Sequence, residues 1–368
     1  MKLLVTLTFN KSLKDWYKEG TLNRELKYYK KLSNITKLKI SFFSYGDESD
    51  KLFIRDYKNF EVINIHKKKR NFHNYYNFFY SIIFLLLNFK LFKSFQFIKT
   101  NQNHGSWIGV ILKILNPNTS LISRGGYDLY HFKSLEKNLL NKILSYFICF
   151  MVYKVADKIF VPSNFYYDFI IKKFNLKKKK VTILPNYIDI DLFKIRKSRK
   201  LKNKILFVGR FIDQKNLFNI IEIFSNTKYE LDFIGDGYQK NDLLLYSKIN
   251  NCKLNIKKPV KNEKLPFIMN KYNFFILNSH FEGNPKVLLE AMSSELVCIA
   301  NNAPGINNII EHKKNGFLID KNNNEKFNLF SLLENKYLLD LIKKNSRNFI
   351  IKNHSFKTIV NIESNVYM

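Results

Sequence analysis

Short apolar runs alternate with amphipathic stretches up to about residue 184, and the same alternation restarts at residue 205. Short apolar runs bounded by turn residues are typical of buried strands, and the stretches between them are typical of covering helices. The pattern predicts two parallel α/β sheets. The strands predicted in the first half are Leu3–Phe9, Leu38–Ser44, Phe60–Ile65, Phe97–Thr100, Ser120–Ser123, Lys158–Val161 and Val181–Leu184. Those predicted in the second half are Ile205–Arg210, Leu231–Gly237, Lys253–Ile256, Phe274–Leu277, Val297–Ala300 and Phe317–Ile319.

A break in this pattern predicts a domain boundary. It begins at Pro185–Asp189 and is followed by Ile195–Lys204, which is basic and poor in apolar residues. We predict an N-terminal domain over residues 1–186, a C-terminal domain over residues 187–354 and a final segment over residues 355–368. Two doubly wound domains would bind their ligands at the carboxyl ends of the strands, in the cleft between them.

The composition supports a folded chain. Of the 368 residues, 46% are hydrophobic, which is enough for a sizeable core. Three cysteines, Cys149, Cys252 and Cys298, lack the spacing of a zinc site or a disulfide framework and suit a reducing cytosol. The run Met1–Phe9 is too short for a secretory signal, and we expect a cytoplasmic protein.

The formal charge of +32 leaves three interpretations open. Lys, Asn, Ile, Phe and Tyr are abundant throughout, as the coding bias of an AT-rich genome produces. Clusters such as Lys67–Arg70 and Lys177–Lys180 also favour attachment to an anionic membrane surface. A nucleic-acid partner is the third interpretation, but the sequence contains no zinc knuckle, RNA-binding signature or helix-turn-helix pattern, so none is expected.

Two apolar stretches, Phe78–Leu87 and Ile143–Val155, are too short or too interrupted to cross a bilayer. We interpret both as buried core helices in preference to segments inserted into one leaflet.

One run of the second half, Phe281–Ala291, reads F-E-G-N-P-K-V-L-L-E-A and follows a predicted strand. Asn284 is a favourable N-cap and Pro285 suits the first helical position, so we predict that a helix starts here. Amides at a helix start attract a phosphate or another anion. Glu282 precedes the helix and Glu290 lies inside it. We expect one of these carboxylates to reach past the anion toward the far end of a bound ligand and the other to accept hydrogen bonds from the ligand's hydroxyls. The run predicts a site for a phosphorylated polyol.

A second candidate site element follows the strand that ends at Arg210. The chain turns there and enters a predicted helix at about Asn216, with Lys215 near its first turn. An Arg and a Lys that bracket a strand-to-helix turn suit a diphosphate. The alternative is a pair of solvated surface cations, and the nearby glutamate run favours the diphosphate.

The second half resembles the nucleotide-binding domain of the group 1, family 4 glycosyltransferases, which are retaining enzymes with the GT-B fold. Their two glutamates, eight residues apart, match Glu282 and Glu290, and their Arg-x4-Lys element matches Arg210 and Lys215. The resemblance is specific over about residues 204–320 and looser in the first half. Further family landmarks are Ala156–Ser163, Pro185–Asn186, Gly235–Gly237, Pro304–Ile306 and Asn315–Gly316.

The resemblance implies two Rossmann-like domains that face each other across a cleft, with the acceptor bound by the first and the nucleotide sugar by the second. It implies a metal-independent hexosyltransferase of cell-surface polysaccharide synthesis, such as lipopolysaccharide or capsule, that acts on a glycan or lipid-linked glycan. No cofactor is expected beyond the nucleoside-diphosphate sugar, which is a co-substrate. The enzyme would be peripheral at the inner face of the membrane, with residues 355–368 packed back on the first domain.

Carried over residue by residue, the resemblance implies that Glu290 accepts the ribose hydroxyls and that Glu282 binds hydroxyls of the donor sugar. Arg210 and Lys215 would hold the diphosphate and stabilise the leaving nucleotide, so Arg210, Lys215 and Glu282 are the predicted catalytic residues. The donor phosphate would take the acceptor's proton, and no protein nucleophile is needed. The complete predicted donor site is Gly209, Arg210, Lys215, Gly235, Glu282, Gly283, Asn284, Pro285, Leu289 and Glu290.

The first half departs from the family pattern, because a single Gly20 stands where a glycine pair usually contacts the donor phosphate. In the second half, Asn307 and Asn308 stand where many members carry a glutamate. Polar residues that follow predicted strands of the first half are candidates for the acceptor side. The predicted acceptor-side residues are Gly20, His104, Arg124 and Asp128.

Two kinds of alternative remain. Asp189-Ile190-Asp191 is formally a D-x-D metal motif, but it lies in the interdomain segment, so we expect no metal. Another GT-B activity, a phosphorylase or a nucleotide-sugar epimerase, is possible, as is a basic nucleic-acid- or membrane-binding protein on a degenerate GT-B scaffold. The presence of Arg210, Lys215, Glu282 and Glu290 argues against degeneration.

Overall fold

The computed structural model describes residues 1–67, 74–126, 128–135, 138–319 and 324–368, with only the backbone of residues 324–328. The described chain forms two compact units. The first contains Met1–Pro185 together with Val360–Met368, and the second contains Asn186–Ile359. Of the cluster Lys67–Arg70, only Lys67 lies within the described residues.

The described residues of the first unit form a seven-stranded parallel sheet in the order β3-β2-β1-β4-β5-β6-β7. Its strands are β1 (Lys2–Thr6), β2 (Lys39–Ser44), β3 (Phe60–Asn64), β4 (Phe97–Thr100), β5 (Ser120–Arg124), β6 (Lys158–Val161) and β7 (Val181–Ile183). Its helices are α1 (Leu13–Lys18), α2 (Leu22–Thr36), α3 (Asn74–Leu87), α4 (Phe89–Phe92), α5 (Trp107–Leu115), α6 (Leu129–Ser134), α7 (Leu139–Val155) and α8 (Asn164–Phe174).

The strand order of the first sheet reverses beside β1. The chain runs from β1 outward through β2 to β3 and then returns to β4 on the other side of β1. Ligands of open parallel sheets bind at the carboxyl ends of the strands that flank such a switch point. The loops after β1 and β4 meet there, because the amide of Phe9 donates to the carbonyl of His104 at 3.1 Å.

The second unit repeats this arrangement in a six-stranded parallel sheet of order β10-β9-β8-β11-β12-β13. Its strands are β8 (Lys204–Val208), β9 (Glu230–Ile234), β10 (Lys253–Lys257), β11 (Phe274–Leu277), β12 (Val297–Asn301) and β13 (Phe317–Ile319). Its helices are α9 (Leu217–Phe224), α10 (Lys240–Ile249), α11 (Leu265–Met269), α12 (Lys286–Ser293), α13 (Asn324–Glu334) and α14 (Lys336–His354). The switch point lies between β8 and β11, so the loops after these two strands are where a ligand is expected.

The predicted fold class, a pair of parallel α/β sheets, is confirmed in each unit. The buried strand β11 is apolar along its whole length, and β8 is apolar after Lys204, because helices cover both faces of a parallel sheet. Short 3-10 helices occur in the connections. These are Glu48–Phe53, Lys178–Lys180, Asp213–Lys215 and Asn262–Lys264.

The last helix, α15 (Phe356–Ser364), carries Glu363 into the core of the first unit. The Glu363 carboxylate accepts hydrogen bonds from Lys99 Nζ at 2.5 Å, from the Tyr367 hydroxyl at 2.9 Å and from the Tyr28 hydroxyl. Lys99 and Glu363 are both fully buried. A buried ion pair with this many hydrogen bonds is costly to break from one side only.

Glu363 should make the stability of the first unit depend on acid pH. Burial alone would raise the pKa of Glu363, but Lys99 and Arg124, with the hydrogen bonds from Lys99 and Tyr28, hold it below its usual value of 4.5. A carboxyl with a depressed pKa contributes stability that is complete above its unfolded pKa and is lost as the pH falls through the folded one. Urea midpoints of the wild type and Glu363→Gln are therefore expected to converge between pH 5 and pH 3. A constant difference across that range would contradict this.

Two helices differ from the sequence prediction in what they bury. The stretches Phe78–Leu87 and Ile143–Val155 are helical, within α3 and α7, but neither is a buried core helix. Large apolar side chains of both helices are exposed, among them Phe79 and Phe147. None of the described helices is both long and apolar enough to cross a bilayer.

Candidate functional site

The turn from β8 to α9 carries the two predicted diphosphate cations. The amide of Gly209 donates to the carbonyl of Ile234 at 3.0 Å, and that of Phe211 donates to Asp236 at 2.9 Å, so the turn is fixed to the end of β9. Arg210 is exposed, and its guanidinium makes no hydrogen bond or ion pair with the residues that the structure describes. This cation is available to a ligand.

Gly209 and Gly235, both predicted donor-site residues, lie in close contact. A Cβ atom on Gly235 would lie 1.8 Å from the carbonyl oxygen of Gly209, so no other residue fits without moving the turn. This glycine is needed for the close approach of two loops. The structure therefore gives Gly235 a part in positioning the Arg210 turn.

The loop after β11 brings Glu282 to Lys215. Lys215 Nζ lies 2.5 Å from Glu282 Oε1, and Ser279 Oγ donates to the same oxygen at 2.6 Å. Both charged side chains are largely buried, at 13% and 10% exposed. The two loops that flank the switch point therefore share an ion pair between residues that are far apart in the sequence.

Backbone bonds lock these two loops together. The amide of His280 donates to the carbonyl of Gln214 at 2.9 Å, and Gln214 Nε2 donates to the carbonyl of Phe281, also at 2.9 Å. Gln214 and Ser279 were not identified from the sequence, because neither residue type nor spacing distinguishes a side chain that only holds a loop.

The start of α12 differs by one residue from the prediction. Asn284 is not the N-cap and Pro285 is not the first helical residue. Pro285 is the N-cap, no side chain caps the helix, and α12 begins at Lys286. The Asn284 side chain instead accepts a bond from the amide of Asn186 at 2.8 Å. The helix start, next to Gly283, therefore lacks a side-chain cap, as an anion site requires.

Gly305 supports the same segment from behind. It has a φ of +78°, and a Cβ there would lie 2.1 Å from the carbonyl oxygen of Glu282. The amide of Glu282 donates to Pro304 at 2.9 Å. The predicted Pro-Gly landmark is thus the backbone support of Glu282, while Asn307 and Asn308 are exposed.

Glu290 lies within α12 and is 4% exposed. Its Oε1 accepts a hydrogen bond from Asn262 Nδ2 at 2.9 Å. Asn262, which lies in the segment after β10, was not identified from the sequence. The side chain of the neighbouring Leu289 is fully buried in the core of the second unit, where it supports the helix, and its predicted contact with the donor stays a prediction.

The predicted acceptor-side residue Asp128 forms hydrogen bonds within the first unit. Asp128 Oδ1 accepts the amide of His131 and caps α6, and Asp128 Oδ2 accepts the Tyr153 hydroxyl at 2.6 Å. Burial raises the pKa of this carboxyl. The structure favours a structural role over the predicted sugar contact. Tyr127, between Gly126 and Asp128, lies outside the described residues.

Arg124 lies beside the buried cluster around Glu363 and is itself half-buried. Although burial works to lower it, the neighbouring Tyr28 and Glu363 raise the pKa of Arg124 above its usual value. Its charge acts on this cluster, but its side chain is only half-buried, so the contact with an acceptor phosphate stays a prediction.

His104 lies at the switch point of the first sheet, as predicted from its place after β4. Its ring packs edge-on against Phe9 and Trp107, with ring centroids 5.4 and 6.0 Å apart. The resulting desolvation, with the charge of Lys133, lowers the pKa of His104. The exposed ring is therefore neutral at pH 7 and able to accept a proton.

Gly20 lies between α1 and α2 with a φ of +69°. Its amide donates to the carbonyl of Tyr17 at 3.0 Å and closes the turn. A Cβ at this position would meet no atom within 4 Å, so the backbone conformation, not crowding, favours glycine.

The D-x-D motif forms a turn. Asp189 Oδ1 accepts the amides of Asp191 and Leu192 at 3.2 and 3.1 Å. This carboxylate therefore stabilises the backbone of its own segment.

Residues 189–349 match the family model described as Glycosyl transferases group 1. This segment belongs to the group 1 glycosyltransferases. The group 1 segment contains every predicted donor-site residue, from Gly209 to Glu290, and both loops of the second switch point.

Named relatives agree with this assignment. The chain is 28% identical over 251 residues to UDP-Gal:alpha-D-GlcNAc-diphosphoundecaprenol alpha-1,3-galactosyltransferase of Escherichia coli. This alignment covers 60% of this chain and 62% of the relative. The chain is 30% identical over 199 residues to N-acetylgalactosamine-N,N'-diacetylbacillosaminyl-diphospho-undecaprenol 4-alpha-N-acetylgalactosaminyltransferase of Campylobacter jejuni, covering 51% of this chain and 53% of the relative. The chain thus spans less than two thirds of each of these proteins.

The fold is shared with solved structures well beyond the group 1 segment. Sucrose-phosphate synthase from Thermosynechococcus elongatus matches with a TM-score of 0.80 at 13% identity, over 100% of this chain and 98% of the other. The GT-B fold class predicted from the sequence is confirmed by this match.

Proposed function

We propose that the chain is a retaining, metal-independent glycosyltransferase that moves a sugar from a nucleoside diphosphate to a hydroxyl of a glycan or lipid-linked glycan. One observation carries this proposal. The Lys215–Glu282 pair joins the two loops of the second switch point, between the exposed Arg210 and the uncapped start of α12. Cations, free amides and a carboxylate at one sheet edge suit a ligand with a diphosphate and a sugar.

In the proposed reaction, the bond between the anomeric carbon and the diphosphate oxygen breaks, and negative charge collects on the leaving diphosphate. Arg210 and Lys215 would neutralise that charge, helped by the amides at the start of α12. Lys215 is held by Glu282 and the amides are fixed in the backbone, so these groups need little reorganisation as the charge develops. The exposed Arg210 side chain, in contrast, has to close on the diphosphate. The cations take the part that a divalent ion plays in other transferases, which supports metal independence.

The two carboxylates would serve different parts of the donor. Glu290, oriented by Asn262, is proposed to accept the two ribose hydroxyls. Glu282 is proposed to accept sugar hydroxyls through Oε2, since Lys215 and Ser279 engage Oε1. Charge-assisted hydrogen bonds of this kind are worth about 1.5–3 kcal/mol each.

Retention follows if the acceptor hydroxyl attacks on the face from which the diphosphate leaves. The acceptor's proton then passes to a diphosphate oxygen, so no carboxylate nucleophile is required. The names of both relatives give an alpha linkage, which is the product expected when an α-configured donor reacts with retention.

The acceptor is proposed to be carried on a lipid diphosphate at the cytoplasmic face of a membrane. The names of both relatives contain a diphosphoundecaprenol carrier. A chain with a formal charge of +32 is attracted to anionic lipids and to a diphosphate acceptor alike. Gly20, His104 and Arg124 remain candidates for the acceptor side, and the neutral ring of His104 is able to accept a hydrogen bond from an acceptor hydroxyl.

The different roles of the two glutamates predict different effects of their removal. Glu290→Ala is expected to weaken binding of the bare nucleotide and to lower turnover, because its contacts form in the ground state. Glu282→Ala should lower turnover by about 10²-fold but nucleotide affinity only slightly, since its proposed partner is the sugar. Calorimetric Kd values and initial rates of nucleotide release measure both quantities.

Glu222→Ala, at an exposed position on α9, is a matched control that should change neither quantity. Equal effects of Glu282→Ala and Glu290→Ala on nucleotide affinity, or full turnover in either variant, would refute these roles.

A further inference from the structure

Helix α7 is inverted relative to an ordinary surface helix. Its outward face consists of apolar side chains spaced one, three and four residues apart, which places them on one side of the helix. These exposed residues are Leu139, Leu140, Ile143, Leu144, Phe147, Phe150 and Met151. Its buried residues are Ser145, Cys149, Val152 and Tyr153, whereas Lys154 is exposed. The exposed side of α7 therefore carries more large apolar side chains than its buried side does.

Helix α3 shows the same inversion. Its buried residues are Asn77, Ser81 and Leu85, two of which are polar. Its exposed large side chains are Tyr75, Tyr76, Phe79, Ile83, Leu86 and Leu87. A scattered exposed leucine needs no explanation, but two helices that each expose a series of large apolar side chains indicate an interaction surface.

The two outward faces belong to one layer. Helix α5 packs against both α3 and α7, and Ile114 at its end is also exposed. We call the exposed apolar side chains of α3, α5 and α7 the apolar face. The polypeptide is not simply loosely folded here, because the opposite sides of these helices pack into the core through residues such as Leu85 and Val152.

Within the helices that carry or border the apolar face all charges have one sign, although Lys113 is paired with Asp157, which lies just before β6, at 3.0 Å. Helix α3 contains no charged residue, and the charged residues of α4, α5 and α7 are all lysines, with no Asp or Glu among them. These lysines are Lys90, Lys113, Lys142 and Lys154. Lys154 Nζ lies 5.6 Å from the centroid of the exposed Phe150 ring, so its alkyl stem follows the apolar surface.

The combination of exposed apolar side chains and lysines favours an anionic membrane over a second copy of the chain. A second copy would bring a lysine-rimmed face against an identical lysine-rimmed face, which like-charge repulsion opposes. An anionic bilayer offers hydrocarbon for the aromatic and leucine side chains and phosphates for the lysines. Helices with bulky apolar residues on one side and only lysines as charges are typical of surfaces that lie in the membrane interface.

We propose that the apolar face enters the interface of an anionic phospholipid membrane and docks the first unit there, which deepens, and rests on, the membrane association proposed above. The lysines attract the protein, and the apolar side chains hold it. The attachment is therefore not the purely electrostatic one that the net charge suggests. Binding should resist salt, because screening weakens exposed charges but not buried apolar contacts.

Vesicle sedimentation of the full chain tests this proposal. The variant Leu140→Ser/Leu144→Ser/Phe147→Ser alters three side chains of α7 that are 56–72% exposed. The control Leu245→Ser/Ile249→Ser/Phe267→Ser alters three apolar side chains of the second unit that are 58–70% exposed. Wild type and control should bind vesicles of phosphatidylcholine with phosphatidylglycerol, also in high salt, and the α7 variant should bind about tenfold less or weaker still.

Equal binding by the α7 variant and the wild type would overturn the proposal, as would wild-type binding that disappears in high salt. The wild type could instead fail to bind vesicles and form dimers in light scattering, with the α7 variant remaining monomeric. That result would assign the apolar face to contact with a second copy and overturn the proposal. Stabilisation by nucleotide, measured on the same proteins without lipid, reports separately on the donor site. Absence of that stabilisation would contradict the proposed transferase function. The vesicle results, in contrast, test only the proposed role of the apolar face.

Discussion

Arg210→Ala is expected to lower the rate of sugar transfer by about 10²–10³-fold without changing the temperature of unfolding. The guanidinium is exposed and bonds no described part of the chain, so its removal leaves no buried group unpaired. Its proposed partner is the diphosphate, whose charge increases as the glycosidic bond breaks. The loss should therefore appear mainly in kcat. Initial rates of nucleotide release, with the unfolding temperature of each protein, measure it.

Two further variants sharpen this expectation. Arg210→Lys should recover part of the rate, because a lysine supplies the charge but not the bidentate hydrogen bonds. Lys248→Ala removes an exposed cation of the same unit from α10 and should have no effect. Wild-type turnover in Arg210→Ala, or an equal loss in Lys248→Ala, would show that Arg210 is a solvated surface cation.

Glu363→Gln is expected to destabilise the first unit by about 3–5 kcal/mol. The substitution keeps the shape of the side chain and an acceptor for Tyr28 and Tyr367, but it leaves the charge of Lys99 buried without its partner. Urea unfolding followed by tryptophan fluorescence reports on this unit, since both tryptophans, Trp16 and Trp107, belong to it.

The double variant Lys99→Met/Glu363→Gln removes both charges and should be more stable than Glu363→Gln alone. Replacing a buried ion pair as a whole is much less costly than removing one partner. A double variant as unstable as the sum of both single variants would mean that the hydrogen bonds, and not the buried charges, dominate this cluster.

Most of the strand framework could be predicted from the sequence, because helices cover both faces of a parallel sheet and its central strands are rich in apolar residues. Four strands agree residue for residue with the prediction: β4, β6, β11 and β13. Others end early, as β9 does at Ile234 where Gly237 was predicted, since the glycine turn prolongs the extended chain beyond the ladder. The burial of α3 and α7 was predicted wrongly, because apolar composition does not distinguish a core helix from a helix with an exposed apolar face.

The candidate site was predictable only in part. The spacing of Glu282 and Glu290 and the Arg210–Lys215 element indicated which residues to examine. Spacing could not show that Lys215 and Glu282 form an ion pair, or that Ser279 and Asn262 orient the carboxylates, because such partners come together only through the sheet topology. A place after β5 likewise did not reveal that Asp128 is buried in the first unit and caps α6.

The most direct measurement is a thermal-shift panel of UDP, GDP, ADP and CMP and their common sugar conjugates, run with a chelator on wild type and Glu290→Ala. One nucleotide and its sugar conjugate should raise the unfolding temperature of the wild type, and Glu290→Ala should lose most of that shift. At a ligand concentration of 100 Kd, the stabilisation is about 2.7 kcal/mol. No shift with any nucleotide at millimolar concentration, or an undiminished shift in Glu290→Ala, would contradict the proposed donor site.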